Sequence, residues 1–246
     1  MSSQLQRLTI APQQQQDNLI VLTSEQKHYL LRVLRLGNGD RFIAMDGRGK
    51  AWIAALENEG AIAIEPLSLQ SELPLELTLM VALPKGNGFE EIVRCCTELG
   101  VSTFVPVISD RVLLRPSMQK LARWRRIATE AAEQSERAIV PTILEPQSFQ
   151  ISLQTVHCSE KYICVARGEN ASLLSCLQEG KRREIALLTG PEGGWTAQEI
   201  EEANTRGYIP VSLGKRILRA ITSAIASASL VASFTQESHL SESQKI

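Results

Sequence analysis

The apolar positions of the chain change rhythm near residue 74. Before that point they fall in short runs separated by polar turns. Leu19 to Leu22, Asp40 to Met45, Ala51 to Leu56 and Ala61 to Ile64 read as strands. Asp46-Gly47-Arg48-Gly49 supplies a hairpin-type turn between two of them. Thr23 and Ser24 can cap a short helix through Leu34, with Gly37 as its stop. Several short strands joined by glycine turns predict a small barrel. The segment Pro66 to Pro74, polar with proline at both ends, is the expected boundary, giving domains 1–73 and 74–246.

From Leu75 strands and helices alternate, the pattern of an α/β domain. Leu75 to Leu83 is a strand, and Lys85-Gly86-Asn87-Gly88 a loop. Phe89, Ile92, Cys96 and Leu99 recur at helical spacing, and Gly100 ends that helix. Val101 to Ile108 is the next strand. Gln119 to Arg137 predicts an amphipathic helix. Its buried stripe is Leu121, Trp124, Ala128, Ala131 and Ala132. Arg123, Arg126, Glu130, Gln134 and Arg137 line one polar face of it. That face is either a solvated surface or a ridge that follows phosphates. Lys161 to Ala166 is a strand and Ala171 to Gln178 a short helix.

The last third holds two irregular loops between strands and helices. The run Ile185 to Leu188 leads into Thr189-Gly190-Pro191-Glu192-Gly193-Gly194-Trp195, and Thr196 with Glu199 fits a capping box that starts a helix to Arg206. A second run, Tyr208 to Leu213, leads into Gly214-Lys215-Arg216-Ile217-Leu218-Arg219 and a Ser/Ala-rich helix to Phe234. Loops at the carboxyl ends of parallel strands are where open α/β sheets bind ligands.

Composition adds exclusions. An apolar content of 43% with 22% charged residues describes a globular chain. No apolar run reaches membrane-spanning length. Met1 to Gln16 has no apolar signal core, so a cytoplasmic protein is expected. The five cysteines form no C-x-x-C pair, which disfavours structural zinc and a disulfide framework. Net charge is −1, yet basic residues cluster: Lys27 to Lys50 carries six against two acids, and Asp110 to Arg137 seven against four. Local patches on a near-neutral chain fit a polyanion partner or ordinary solvated faces.

The loop chemistry narrows the ligand. Gly190 to Gly194 is neither G-x-G-x-x-G nor a P-loop, and Glu192 would repel a phosphate at the helix start. Paired glycines let backbone amides and carbonyls recognise a ligand. A neutral adenosine or a cation suits such a loop, as does a tight turn with no ligand. Arg219 stands at a helix entrance, where the dipole opposes a cation. Its place there calls for an anionic partner, either a ligand or an acid such as Glu192.

These residues resemble the RsmE family of SPOUT-class RNA methyltransferases, which methylate uridine N3 in small-subunit (16S) ribosomal RNA. The resemblance rests on Leu188 to Gly194, Leu213 to Arg219, Thr97-Glu98-Leu99-Gly100-Val101, and Glu130 to Ser135 with Arg137 and Pro141. In the N-terminal part, His28 to Arg35 with Gly39-Asp40 looks like the family's PUA-like barrel. It implies a trefoil-knotted α/β SPOUT domain behind a PUA-like β-barrel, and a homodimer. It also implies S-adenosyl-L-methionine as cofactor, held by Leu188, Thr189, Gly190, Pro191, Glu192, Gly193, Gly194, Leu213, Gly214, Ile217, Leu218 and Ala220. The substrate is expected to be 16S rRNA or the small subunit, with no metal and no membrane. Arg219 is the expected catalytic residue. Arg32, Arg35, Lys85, Arg111, Arg115, Arg123, Arg126 and Arg137 are the expected RNA contacts. One departure stands out. Family members commonly read Arg-Thr-Glu-Thr after the second loop, and this chain reads Arg219-Ala220-Ile221-Thr222. No family glutamate carries over to Ile221. Two alternatives follow: an RNA-binding assembly factor without transfer, or transfer to another RNA position such as a ribose 2′-OH.

Overall fold

The computed structural model of the chain describes residues 5–58, 60–112, 116–179 and 184–243, with side chains to residue 235. The chain divides into two compact units. One comprises Met1–Glu72 with Ala132–Val140, the other Leu73–Ala131 with Pro141–Ile246.

The first unit contains β1 (Arg7–Thr9), β2 (Gln15–Gln16), β3 (Leu19–Ile20), α1 (Ser24–His28), β4 (Arg41–Met45), β5 (Ala51–Glu57) and β6 (Gly60–Leu67). They form one sheet in the order β1-β4-β5-β6-β3-β2. Only the β1–β4 pair is parallel. Leu8, Ile10, Ile20, Leu30, Phe42, Ala54 and Leu56 fill its core. Thr23 caps α1, with Gln26 completing the capping box. The helix then widens, as the Leu34 N–H reaches the Tyr29 carbonyl. It ends at Arg35, before the expected Gly37. Arg35 has φ +58°, and the Leu36 N–H closes the last turn onto the Leu30 carbonyl.

Residues 132–140 complete this unit, which the sequence did not suggest. The Thr9 N–H donates to Glu133 at 2.6 Å, and Arg7 pairs with Glu136 at 2.7 Å. Arg137 donates from Nε and Nη2 to one Glu72 oxygen, at 3.1 and 2.7 Å. The other Glu72 oxygen accepts the Ile139 N–H at 3.1 Å.

The second unit begins with β7 (Glu76–Ala82), α2 (Gly88–Glu98), β8 (Thr103–Ile108) and α3 (Met118–Gln134). There follow β9 (Thr142–Ile143), β10 (Gln147–Ser148), α4 (Phe149–Thr155), β11 (Glu160–Cys164) and α5 (Leu173–Glu179). It closes with β12 (Glu184–Thr189), α6 (Ala197–Thr205), β13 (Ile209–Val211) and α7 (Ala220–Ser243). The sheet is wholly parallel, in the order β10-β8-β7-β12-β11-β13 with β9 beside β8. Such a sheet is covered on both faces, which is why Leu79 to Ala82 of β7 and Ile185 to Leu188 of β12 are continuous apolar runs. Met80, Val105, Ala186 and Leu188 pack with Phe149, Leu153, Ala203 and Tyr208. Leu77 and Leu79 point to the opposite face and are also fully buried. Helix α7 packs on α2, β7 and β12.

The helix predicted to Arg137 stops at Gln134. Glu136 takes φ +65° and the Arg137 N–H turns back to the Ala132 carbonyl. Arg137 therefore leaves the polar face and turns inward, where its side chain is 3% exposed beside Glu72. The expectation of an RNA contact at Arg137 is corrected: a buried, paired guanidinium holds the first unit together. Removing one member of a buried pair leaves the other charge unmatched. Arg137→Met is expected to lower the unfolding free energy by about 3 kcal/mol. Urea titration checks this, and an unchanged midpoint would show the pair to be dispensable.

Candidate functional site

The two loops meet in a cavity of about 500 Å3 in the second unit. That volume suits a nucleoside-sized ligand. The loops after β11, β12 and β13 form its walls, with the first turn of α7. These strands are neighbours in the sheet, so their carboxyl ends open side by side.

The glycine loop is shaped by contacts that exclude side chains. A Cβ on Gly190 would stand 3.1 Å from Trp195 Nε1. Trp195 is nearly buried, tilted against Phe149 at 5.3 Å between ring centres. Gly194 has φ +69°, and its N–H closes a turn onto the Pro191 carbonyl at 2.9 Å. Arg111 lies over this turn. Its Nη1 donates to the Gly193 carbonyl and, at 3.4 Å, to that of Gly194.

Helix α6 starts directly after the loop, and its N-terminus is already filled. The Thr196 hydroxyl accepts the Glu199 N–H, and Glu199 Oε2 accepts the Thr196 N–H at 2.8 Å. Glu199 Oε1 accepts the Asp110 N–H at 3.0 Å. This carboxylate is 1% exposed. It occupies the place a phosphate would take at a helix N-terminus. The N-terminus of α6 therefore offers no free place for a phosphate.

Of the residues expected to hold the cofactor, Gly190 to Gly194, Leu213, Gly214, Ile217, Leu218 and Ala220 line the cavity. Leu188 and Thr189 do not. They are fully buried in β12 beneath the loop, and the Thr189 hydroxyl donates to the Met80 carbonyl at 3.5 Å. Glu192 lines the cavity but does not pair with Arg219. Its Oε1 accepts the Lys85 backbone N–H at 3.0 Å, tying the loop after β7 to the glycine loop. Arg219 is exposed at the start of α7, its carbonyl accepting the Ser223 N–H. Its neighbours Leu218 and Ala220 line the cavity. No ion pair joins Arg219 to a described carboxylate.

The other basic residues scatter. Arg123 pairs with Glu90 at 2.9 Å and Arg126 with Glu130 at 3.5 Å, both arginines well exposed. The Arg126–Glu130 pair is exposed at both ends, so it is weak and leaves that cation available, whereas Arg123 partners a carboxylate that is only 11% exposed. Arg32 and Arg35 are exposed in the first unit. Arg115 lies outside the described residues. Among the described residues, no His, Cys, Asp and Glu cluster could hold a metal, and no helix is long and apolar enough to cross a membrane.

The sequence missed one wall, formed by Cys164, Val165, Ala166 and Arg167. The strand ending there was legible. Its position next to β12 was not, because strand order depends on long-range pairing. Cys164 is the cavity's only cysteine among the described residues. Burial pushes its thiol up to about 12, against a smaller lowering by the Ser227 hydroxyl.

A profile of the RNA methyltransferase domain matches residues 71–232, and one of the RNA methyltransferase PUA domain matches residues 22–67. Fold and site thus belong to the RNA methyltransferases with a PUA domain. The "Ribosomal RNA small subunit methyltransferase E" of Synechocystis is 49% identical over 88% of this chain and 73% of its own length. The Bacillus subtilis protein of that name is 31% identical over 87% of this chain and 90% of its own. The crystal structure of the Neisseria gonorrhoeae protein, bound to S-adenosyl methionine, superposes with a TM-score of 0.84 at 29% identity. It covers 94% of this chain and 98% of that one. The chain belongs to the family of the small-subunit ribosomal RNA methyltransferase E enzymes.

The Cys164 thiol gives a prediction free of any ligand. Its folded pKa is raised from 9.0 to about 12, so burial favours the neutral form. Its contribution to stability is full below pH 9.0 and is lost as pH rises towards about 12. In native protein at pH 8, Cys164 should resist iodoacetamide while Cys95 and Cys176 react, and urea should expose it. Mass spectrometry of labelled peptides checks this, and rapid native labelling of Cys164 would contradict it.

Proposed function

We propose that the protein transfers a methyl group from S-adenosyl-L-methionine to N3 of a uridine in small-subunit ribosomal RNA, as a cytoplasmic homodimer. The trefoil knot implied by the resemblance is part of the same proposal. The carrying observation is the cavity at the strand ends: glycine-walled, nucleoside-sized, and framed by the loops after three neighbouring strands. The family's small-subunit RNA specificity and the methionine-derived cofactor of the Neisseria protein support the substrate and cofactor classes.

Backbone groups of Gly190 to Gly194 and of Leu213 to Leu218 would hold the adenosine, with Ile217, Leu218 and Ala220 as apolar walls. When bound, the cofactor supplies an electrophilic sulfonium methyl and takes up the electron pair of the breaking carbon–sulfur bond. The uracil N3–H is a weak acid, and N3 attacks as the deprotonated base. Arg219 stabilises that developing anion, a role in keeping with an unpaired cation beside the cavity wall. The N3 proton leaves to water, because no free carboxylate or imidazole lines the cavity among the described residues. Glu192 is engaged with the Lys85 amide and serves the loop rather than the proton. The high pKa of Cys164 keeps a thiolate, which would compete for the methyl, out of the cavity. Lys85, Arg111, Arg123 and Arg126, with Arg32 and Arg35 of the first unit, position RNA through its phosphates.

The test is methylation of small-subunit RNA with product nucleosides identified by mass spectrometry. The wild type should produce N3-methyluridine. Arg219→Ala should lower kcat by about a hundredfold with cofactor affinity near normal. Transfer by the variant at the wild-type rate would remove Arg219 from the mechanism. Ribose-methylated product would replace the N3 assignment.

A further inference from the structure

Residue 221 holds isoleucine where the family pattern has glutamate, and its surroundings in the second unit are distinctive. Ile221 is the second residue of α7, two positions after Arg219. Its side chain lies on the open face of Gly88, the first residue of α2. A Cβ built on Gly88 would come within 3.0 Å of Ile221 Cδ1 and 3.2 Å of Cγ1. Pro84 Cγ flanks the same face at 3.1 Å. Ile221 therefore packs against Gly88, at the end of the loop 85–87. Lys85, Gly86 and Asn87 of that loop are exposed.

The loop has little to hold it otherwise. Gly86 has φ +67°, and Asn87 gives α2 no side-chain cap. On the other side it is anchored by the Lys85 N–H bond to Glu192. The loop is thus held between the two cavity loops, by a hydrogen bond to the first and by van der Waals packing on the turn that follows the second. Ile221 fills the space that Gly88 leaves. Packing of this kind is stiff, since dispersion contacts are lost with small displacements.

We propose that Ile221 is a positioning residue for the RNA substrate: with Gly88 as its counterpart, it fixes the 85–87 loop and Lys85 beside the cavity loop carrying Glu192. This rests on the proposed methyltransferase reading. It assigns to Ile221 an effect on RNA engagement, distinct from cofactor binding and from the chemical step.

The experiment compares Ile221→Ala, Ile221→Val, Gly88→Ala and the double variant Gly88→Ala with Ile221→Ala. Three quantities are read: Kd and KM for a small-subunit RNA fragment, kcat, and Kd for S-adenosyl-L-methionine by calorimetry. Ile221→Ala should raise RNA Kd and KM by roughly fivefold to tenfold, with kcat and cofactor Kd within about twofold. Ile221→Val, which keeps the branched carbon, should be close to the wild type. Gly88→Ala should weaken RNA binding by itself, and the double variant should bind RNA better than Gly88→Ala, because the shortened side chain admits the new methyl. A loss confined to kcat, an equal loss of cofactor affinity, or simple additivity in the double variant would each overturn the proposal. RNA Kd is measured without turnover. A wild type that binds RNA but transfers no methyl would therefore sink the enzyme reading while leaving the loop test readable.

Discussion

The second unit depends on the pairing of β12 with β7. Six residues of each strand are in register, from Glu184 beside Glu76 to Thr189 beside Val81. Both strands are buried on both faces, so a register slip would drive Glu184 or Glu76 into the core. The pairing also fixes where the strands end. The chain after Thr189 and the chain after Ala82 emerge side by side, and the bond between Glu192 and the Lys85 amide follows from that adjacency. β11 lies on the other side of β12 and β13 beyond it, so the remaining cavity walls arise from the same sheet order.

The charged groups near the cavity are held largely by hydrogen bonds to backbone groups. Glu199 serves the α6 terminus and the Asp110 amide, and Glu192 serves the Lys85 amide. Arg111 is occupied with glycine-loop carbonyls. Arg219, like Lys215 and Arg216 of the same loop, pairs with no described carboxylate, which leaves it available to an anion.

Much of this was legible in the sequence because it follows from local pattern. The capping box at Thr196 and Glu199, the strand-loop-helix order and the two loops follow from residue type and spacing. What was not legible depends on distant residues. Arg137 fits a helix face by spacing alone, and only Glu136 in a left-handed conformation turns it towards Glu72. The wall from Cys164 to Arg167 needed the sheet order. Ile221 was unexplained in the sequence because its counterpart, Gly88, lies far away in the chain. Leu188 and Thr189 belong to a motif but sit beneath the surface that the motif builds.

The way residues 132–140 complete the first unit bears on how the chain is made. Glu133, Glu136, Arg137 and Ile139 reach back to Thr9, Arg7 and Glu72. A chain emerging from the ribosome from its N-terminus cannot close that network until residue 140 is out. By then β7, α2, β8 and α3 have been synthesised too. The unit that starts first is therefore finished only after the second is well begun, and the two must fold as interleaved rather than successive events.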